Sequence, residues 1–153
     1  PFEKPLTEQE VASFIADRTA DFLSDAEKDC IKPSDISGFF LNDITARMLK
    51  SGRIYREHPI FHRLSADIMA EIDSGYDVTE SPYVQGIADM FFIEDDGIVL
   101  IDYKTDSFSD EEKLSGDYAF QLKVYEEALE TAFSLPVKEK YIYSFKMGKM
   151  IKL

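Results

Sequence analysis

Tryptophan is absent from this 153-residue sequence, cysteine occurs once, and basic side chains are scarce: seventeen Lys and Arg face thirty Asp and Glu. A single thiol, Cys30, permits no internal disulfide, no four-thiolate cluster and no zinc ribbon, and suits a reducing compartment such as the cytoplasm. The net charge of −13 opposes contact with a polyanion unless a cation or a local basic patch intervenes, which excludes a purely electrostatic DNA clamp. Apolar runs such as Ile98–Ile101 fall far short of the roughly 20 residues a membrane helix needs. Neither a repeat nor a low-complexity linker divides the chain, and Gly and Pro punctuate it rather than cluster. The first residue is proline and no basic, apolar leader follows, so the sequence reads as a piece of a longer protein without a secretory signal.

What is present suffices for one core. With 44% hydrophobic residues, eight Tyr and twelve Phe, residues 1–153 read as a single domain, helical to about position 52 and built of sheet and helix from about 53 to 153. Thr7 and Glu10 have the spacing of a capping box, and Val11, Phe14, Ile15, Phe22 and Leu23 recur at helical intervals, predicting a helix from about Glu8 to Ser24. After Pro33, Ser34 is placed to cap a second helix whose Ile36, Phe39, Phe40, Ile44 and Met48 share a face and whose stop is Gly52. Ile54–Ser65 reads as a strand that Pro59 confines to an edge. Ala66–Ser81 is ambiguous, helical around Ile68, Met69 and Ile72 and loop-like at Asp73–Tyr76.

The sharpest pattern follows. Tyr83–Ile93 and Ile98–Lys104 are strand-like runs joined by the polar turn Glu94-Asp95-Asp96-Gly97, which predicts a hairpin. Beyond it, Tyr118, Gln121, Leu122, Tyr125, Ala128, Leu129 and Ala132 fall on one helical face. Val137–Phe145 is again strand-like, and Gly148 allows the tail to fold back as a short closing hairpin. The order predicts a mixed α/β fold, a mixed sheet flanked by helices.

Pairing Ile93 with Ile98 sets Asp89 opposite Asp102, and alternation puts Lys104 on the face of Asp102. The run Ile98–Ile101 suits a central strand buried on both sides, where an adjoining carboxylate is costly without compensation. A hard divalent cation such as Mg²⁺ supplies it, with Asp89 and Asp102 as oxygen ligands. The chemistry to which this set points is phosphodiester hydrolysis, in which Lys104 orients water or stabilises charge on the phosphate, with Glu57 a possible additional acid. On spacing alone the same residues also fit a solvated hairpin end or a simple Asp–Lys pair. Gly86 is open to two readings, a strand glycine relieving a bulge or a gap for a nucleic-acid backbone. His58 and His62 flank Pro59, cannot form a helical metal pair, and read as structural or surface residues.

Taken together, Val84-Gln85-Gly86-Ile87-Ala88-Asp89, Ile101-Asp102-Tyr103-Lys104-Thr105-Asp106, and Tyr118, Gln121 and Tyr125, with Tyr55-Arg56-Glu57 upstream, resemble the RecB-type nuclease domains of the PD-(D/E)XK superfamily, in the AddA (RexA) type of helicase/nuclease. The resemblance spans roughly Ile36 to Phe145. It implies a restriction-endonuclease-like core, metal binding by Asp89, Asp102 and the Tyr103 carbonyl, catalysis by Lys104, and a Gln121–Tyr125 helix motif that braces Lys104 or touches DNA. On periodicity alone Tyr125 is as well a core residue. The resemblance further implies an exonuclease in double-strand-break repair that uses Mg²⁺, or Mn²⁺ in its place. It would act 3′-to-5′ on chiefly single-stranded DNA, beside a helicase portion of the same parent chain and an AddB (RexB)-type partner subunit. No Walker A motif is present, so the motor belongs elsewhere. The family's early-helix histidine, in a G-x-x-x-H context, has no counterpart before the sheet; the expectation is that it lies upstream in the parent chain and that the fragment alone is inactive without it. Two other readings are a phage or CRISPR-associated nuclease of the same superfamily, the iron–sulfur kind excluded by the single cysteine, and a non-catalytic acidic module that docks a protein. Few Lys and Arg form a stripe, so any DNA contact should depend only modestly on salt.

Overall fold

The computed structural model describes residues 4–72, 81–105 and 110–153. Helix α1 spans Glu8–Thr19 and opens with the expected capping box, Glu10 Oε2 accepting from Thr7 N at 2.9 Å and Thr7 Oγ1 from Glu10 N at 3.3 Å. It stops at Thr19, short of the expected Ser24, because Ser24 begins something new: with Glu27 it forms a second capping box at the head of α2, Asp25–Lys28. Phe22, expected on the buried face of the first helix, lies in the intervening turn and is 74% exposed.

The expected second helix is two. Pro33 takes the first position of α3, Pro33–Phe39, so Ser34 is inside the helix and caps nothing. The chain then breaks, and α4 runs Asp43–Ser51. Side chains make the break: Asn42 Nδ2 donates to the Gly38 carbonyl at 3.1 Å and Thr45 Oγ1 to the Phe39 carbonyl at 2.6 Å, satisfying the carbonyls that a continuous helix would have used. Gly52 ends α4 with φ 64°, the left-handed stop its position foretold.

Strand β1, Ile54–Arg63, lies antiparallel to β2, Tyr83–Glu94, and forms the sheet edge that Pro59 requires. Between them α5 covers Ala66–Ile72, which settles that stretch as helix; the expected loop at Asp73–Tyr76 lies outside the described residues. Strand β3, Gly97–Lys104, follows β2 through the Asp95-Asp96 turn in the expected register, Ile93 opposite Ile98 and Met90 opposite Ile101. Gly97 sits at φ 150°, where an added Cβ would lie 2.6 Å from the Pro136 carbonyl. Helix α6, Glu111–Phe133, then crosses over so that β4, Val137–Ser144, pairs parallel with β3, and β5, Lys149–Lys152, closes the sheet antiparallel to β4. The order is β1-β2-β3-β4-β5, a mixed sheet with helices on both faces.

Ile98, Val99, Leu100 and Ile101 are fully buried, as a central strand demands. Ile98 and Leu100 pack with Phe91, Ile142 and the α6 residues Leu122 and Leu129; Val99 and Ile101 pack with Phe92, Tyr143 and, from the early helices, Phe39 and Met48. Each such buried side chain contributes about 1.5–3 kcal/mol relative to exposure. At the turn end of the sheet Arg47 of α4 bonds Glu94 (Nη2–Oε2, 2.7 Å) and Glu139 (Nη2–Oε1, 2.7 Å), and Lys138 also pairs with Glu94 at 2.6 Å. Among the described residues no helix is long and apolar enough to cross a membrane.

Candidate active site

The other end of β3 carries the acids. The register that pairs Met90 with Ile101 makes Asp89 and Asp102 the next positions along, just past the last ladder pair. There the strands part: the Asp89 carboxylate accepts from the Tyr103 backbone N–H through Oδ2 at 2.8 Å. Asp102 is only 2% exposed, and its Oδ2 lies 2.6 Å from Lys104 Nζ. Apart from that ion pair, Asp102 Oδ2 has no hydrogen-bond donor among the described residues. Burial pushes the Asp102 carboxyl above its ordinary range, Lys104 opposing the shift and the neighbouring charge of Asp89 adding to it. The hydroxyl of half-buried Tyr103 is raised as well, chiefly by desolvation.

Helix α6 supplies the support. Lys104 Nζ donates to Gln121 Oε1 at 3.1 Å, and Gln121 Nε2 donates to Tyr125 Oη at 3.1 Å. Their four-residue spacing, read from the sequence as one helical face, is what lets Tyr125 brace the amide that holds the lysine. Tyr118, one turn earlier, places its ring 3.9 Å below the Lys104 ammonium. The sequence marked Tyr118 only as part of this face; its i, i+3 relation to Gln121 was the available signal for the contact.

A family model for the PD-(D/E)XK nuclease superfamily matches residues 5–151. The chain belongs to this superfamily. It is 37% identical over 134 residues to the AddA-type subunit of the ATP-dependent helicase/nuclease of Clostridium botulinum, a match covering 87% of this chain and 10% of that one. With the protein of the same name from Clostridium acetobutylicum the identity is 39% over 134 residues, covering 86% and 11%. The chain thus spans about a tenth of the length of these relatives.

Nucleases of this superfamily generally use divalent metal ions, and the residues here fit one. Asp89 and Asp102 offer hard oxygen donors, and the partner of the buried Asp102 Oδ2 among the described residues is the Lys104 ammonium, 2.6 Å away. Among the described residues no three His, Cys, Asp or Glu side chains gather to hold a metal. Glu57 stands across from Asp89, between the pairs Arg56–Met90 and His58–Ala88, and both line a largely apolar cavity of about 380 Å³ under α1 and α3. Its backbone is left-handed, φ 45°, a strain of about 1–2 kcal/mol for a residue with a Cβ. The sequence pointed to the acid but held no sign of this strain.

Gly86 fits neither reading made from the sequence. An added Cβ would sit 2.8 Å from Tyr125 Oη and 3.0 Å from Cε1, so the bare position is the slot for the phenol that holds Gln121. His58 packs edge-on against Tyr55 and Phe91, and His62 Nε2 lies 3.2 Å from Glu127 on α6; both are structural, as their spacing around Pro59 indicated. Asp106, the last residue of the D-Y-K-T-D string, lies outside the described residues.

Proposed function

We propose that this chain is a Mg²⁺-dependent deoxyribonuclease domain, an exonuclease that hydrolyses phosphodiester bonds of single-stranded DNA within a helicase–nuclease of double-strand-break repair. Family membership and the names of the relatives support the nuclease and the helicase portion of the parent chain. The observation that carries the reading is the buried Asp102 carboxylate, set beside the charge of Asp89 with the Lys104 ammonium 2.6 Å from its Oδ2. A second carboxylate beside a buried one costs stability that a bound cation would offset.

In this reading Asp89, Asp102 and the Tyr103 carbonyl hold the ion, with Mn²⁺ able to replace Mg²⁺. A bound divalent ion offsets phosphate charge and lowers the pKa of a water. Lys104 is the catalytic lysine, its ammonium aimed at the charge that builds on the phosphate or at the attacking water. Gln121 and Tyr125 fix that ammonium from α6, since Gln121 Oε1 accepts one of its protons and Tyr125 Oη in turn holds the amide. Residues 1–153 act as one nuclease domain in the cytoplasm beside an AddB (RexB)-type partner, and the upstream histidine-bearing helix of the parent chain completes the catalytic set.

Calorimetric titration with Mn²⁺ and Mg²⁺, on wild type and Asp102→Ala, paired with degradation of single-stranded DNA by the same samples, tests this. Cation binding that vanishes in the variant, with degradation by wild type, is the expected result. Binding without degradation assigns turnover to the upstream segment. A wild type that binds no cation overturns the reading and leaves the acidic docking module.

A further inference from the structure

Strands β1 and β2 pair from Ile54–Phe92 to Arg63–Tyr83 with one break at Glu57, but β3 joins β2 only from Met90 onward. The outer half of the pair, residues 58–63 and 83–88, is therefore a two-stranded arm running past the end of β3 where Asp102 and Lys104 sit. One face of the arm is covered: Ile60 and Ala88 pack into the α6 core, Val84 packs beside Tyr125, and Gly86 receives the Tyr125 phenol. Alternation sends the remaining residues the other way. Pro59, Phe61, Arg63, Tyr83, Gln85 and Ile87 are all exposed, Phe61 by 66%, Tyr83 by 62% and Ile87 by 56%. The rings of Phe61 and Tyr83 stack, centroids 5.0 Å apart and planes 9° from parallel.

Two further features select an occupant. Among the described residues the only charge on this face of the arm is Arg63, in a chain with thirty acids and seventeen bases. It also leads directly to the acids: Ile87 and Pro59 are each two residues from Asp89 and Glu57, and Tyr83 lies roughly 20 Å from Asp89 at about 3.3 Å per residue. Flat exposed rings, one cation and continuity with a phosphodiester site suit a strand whose bases are unpaired, because a duplex keeps its base faces hidden.

We propose that the Phe61–Tyr83 pair is a stacking platform for bases of single-stranded DNA, with Arg63 taking a phosphate, which aligns the strand with Asp89 and Asp102. The proposal rests on the nuclease reading and gives it a structural basis for single-strand preference. Ring–base stacking of about 1–3 kcal/mol per base corresponds to roughly a tenfold change for each ring engaged.

The test measures binding of two labelled oligonucleotides of about 12 units, oligothymidylate and its abasic counterpart. Wild type is compared with Phe61→Ala/Tyr83→Ala and with the aromatic exchange Phe61→Tyr/Tyr83→Phe, by fluorescence anisotropy in Ca²⁺, with hydrolysis in Mg²⁺ followed in parallel. The platform predicts that the alanine pair binds oligothymidylate at least tenfold more weakly, that the exchange binds it as wild type does, and that the abasic strand binds all three proteins equally weakly. Equal binding of both oligonucleotides by wild type, or unchanged oligothymidylate binding by the alanine pair, overturns it; the latter is the outcome if this face is instead covered by another part of the parent protein. Wild type that binds neither strand overturns it too. Hydrolysis that continues undiminished in the alanine pair removes the platform and leaves the nuclease, whereas stacking-dependent binding with no hydrolysis in any sample removes the nuclease and leaves the platform.

Discussion

At the turn end of the sheet Arg47 bonds two carboxylates and Lys138 reinforces one of them; roughly 10–17 Å away along β3, at about 3.3 Å per residue, Asp102 is buried against a second carboxylate with a single cation for company. The acids respond in opposite directions. Hydrogen bonding to Arg47 holds the Glu94 and Glu139 carboxyls down at about 2, while burial pushes Asp102 up. Both clusters are ionic and partly or wholly buried, so burial does not distinguish a structural cluster from a functional one. What differs is the balance of charge: Arg47 and Lys138 together serve Glu94 and Glu139, whereas Lys104 alone pairs with Asp102 beside Asp89.

The largest effects should follow from disturbing the Asp102 end. Lys104→Ala is expected to lower DNA hydrolysis by at least about 10²–10³-fold, the usual loss when a charge-stabilising donor is removed. Its thermal midpoint should also fall, because the buried Asp102 loses its ion-pair partner, so hydrolysis is compared below the transition that calorimetric melting locates. A variant that loses activity only because it unfolds would erase the contrast.

Gly86→Ala reaches the same lysine from behind. Its Cβ meets the Tyr125 phenol, so the expected loss is about 10–100-fold in kcat, with cation affinity unchanged because neither carboxylate moves. Tyr125→Phe added to Gly86→Ala removes the closest atom of the clash; recovered stability without recovered kcat would separate packing from the hydrogen bond that Gln121 donates to Tyr125.

The Arg47 end should lose stability and keep activity. Arg47→Met takes the shared guanidinium from Glu94 and Glu139, leaving Glu94 to Lys138, and is expected to cost about 2–3 kcal/mol, a fall of roughly 5–10 °C in melting midpoint, with hydrolysis intact below the transition. The acids there also set an acid limb. Their folded-state values near 2 lie below the ordinary 4.5, so the stability they contribute is complete above about 4.5 and is lost as pH falls toward about 2. Urea unfolding as a function of pH should show this limb in wild type and a shallower one in Arg47→Met.

The hairpin, its register and the pairing of Gln121 with Tyr125 on one helical face were legible because each depends on spacing within one or two elements. So were the Thr7–Glu10 capping box and the stop at Gly52. The break between α3 and α4 was hidden because apolar periodicity runs straight through it; only the side-chain bonds of Asn42 and Thr45 to carbonyls behind them divide the helix. The true length of α1 was lost for a related reason, a second capping box at Ser24 that periodicity alone overrides. At the site, the acids and Lys104 could be read, whereas the fit of Gly86 to Tyr125 and the left-handed backbone of Glu57 are products of tertiary contact. No local pattern encodes them.

Asp102 is the charge that the fold tolerates rather than uses. Because its folded-state value is raised, its contribution favours the fold at low pH and is lost as pH rises through that value; burial thus disfavours the charged form, a cost that a bound cation would relieve. The most direct measurement is the melting midpoint of wild type and Asp102→Asn at pH 7 with and without Mn²⁺. The account predicts that Asp102→Asn melts above wild type in metal-free buffer. It also predicts that Mn²⁺ at about 100 times its dissociation constant stabilises wild type by about 2.7 kcal/mol, roughly 5–10 °C, while leaving the variant unmoved. A variant that melts below wild type without metal, or that responds to Mn²⁺ as wild type does, would contradict it.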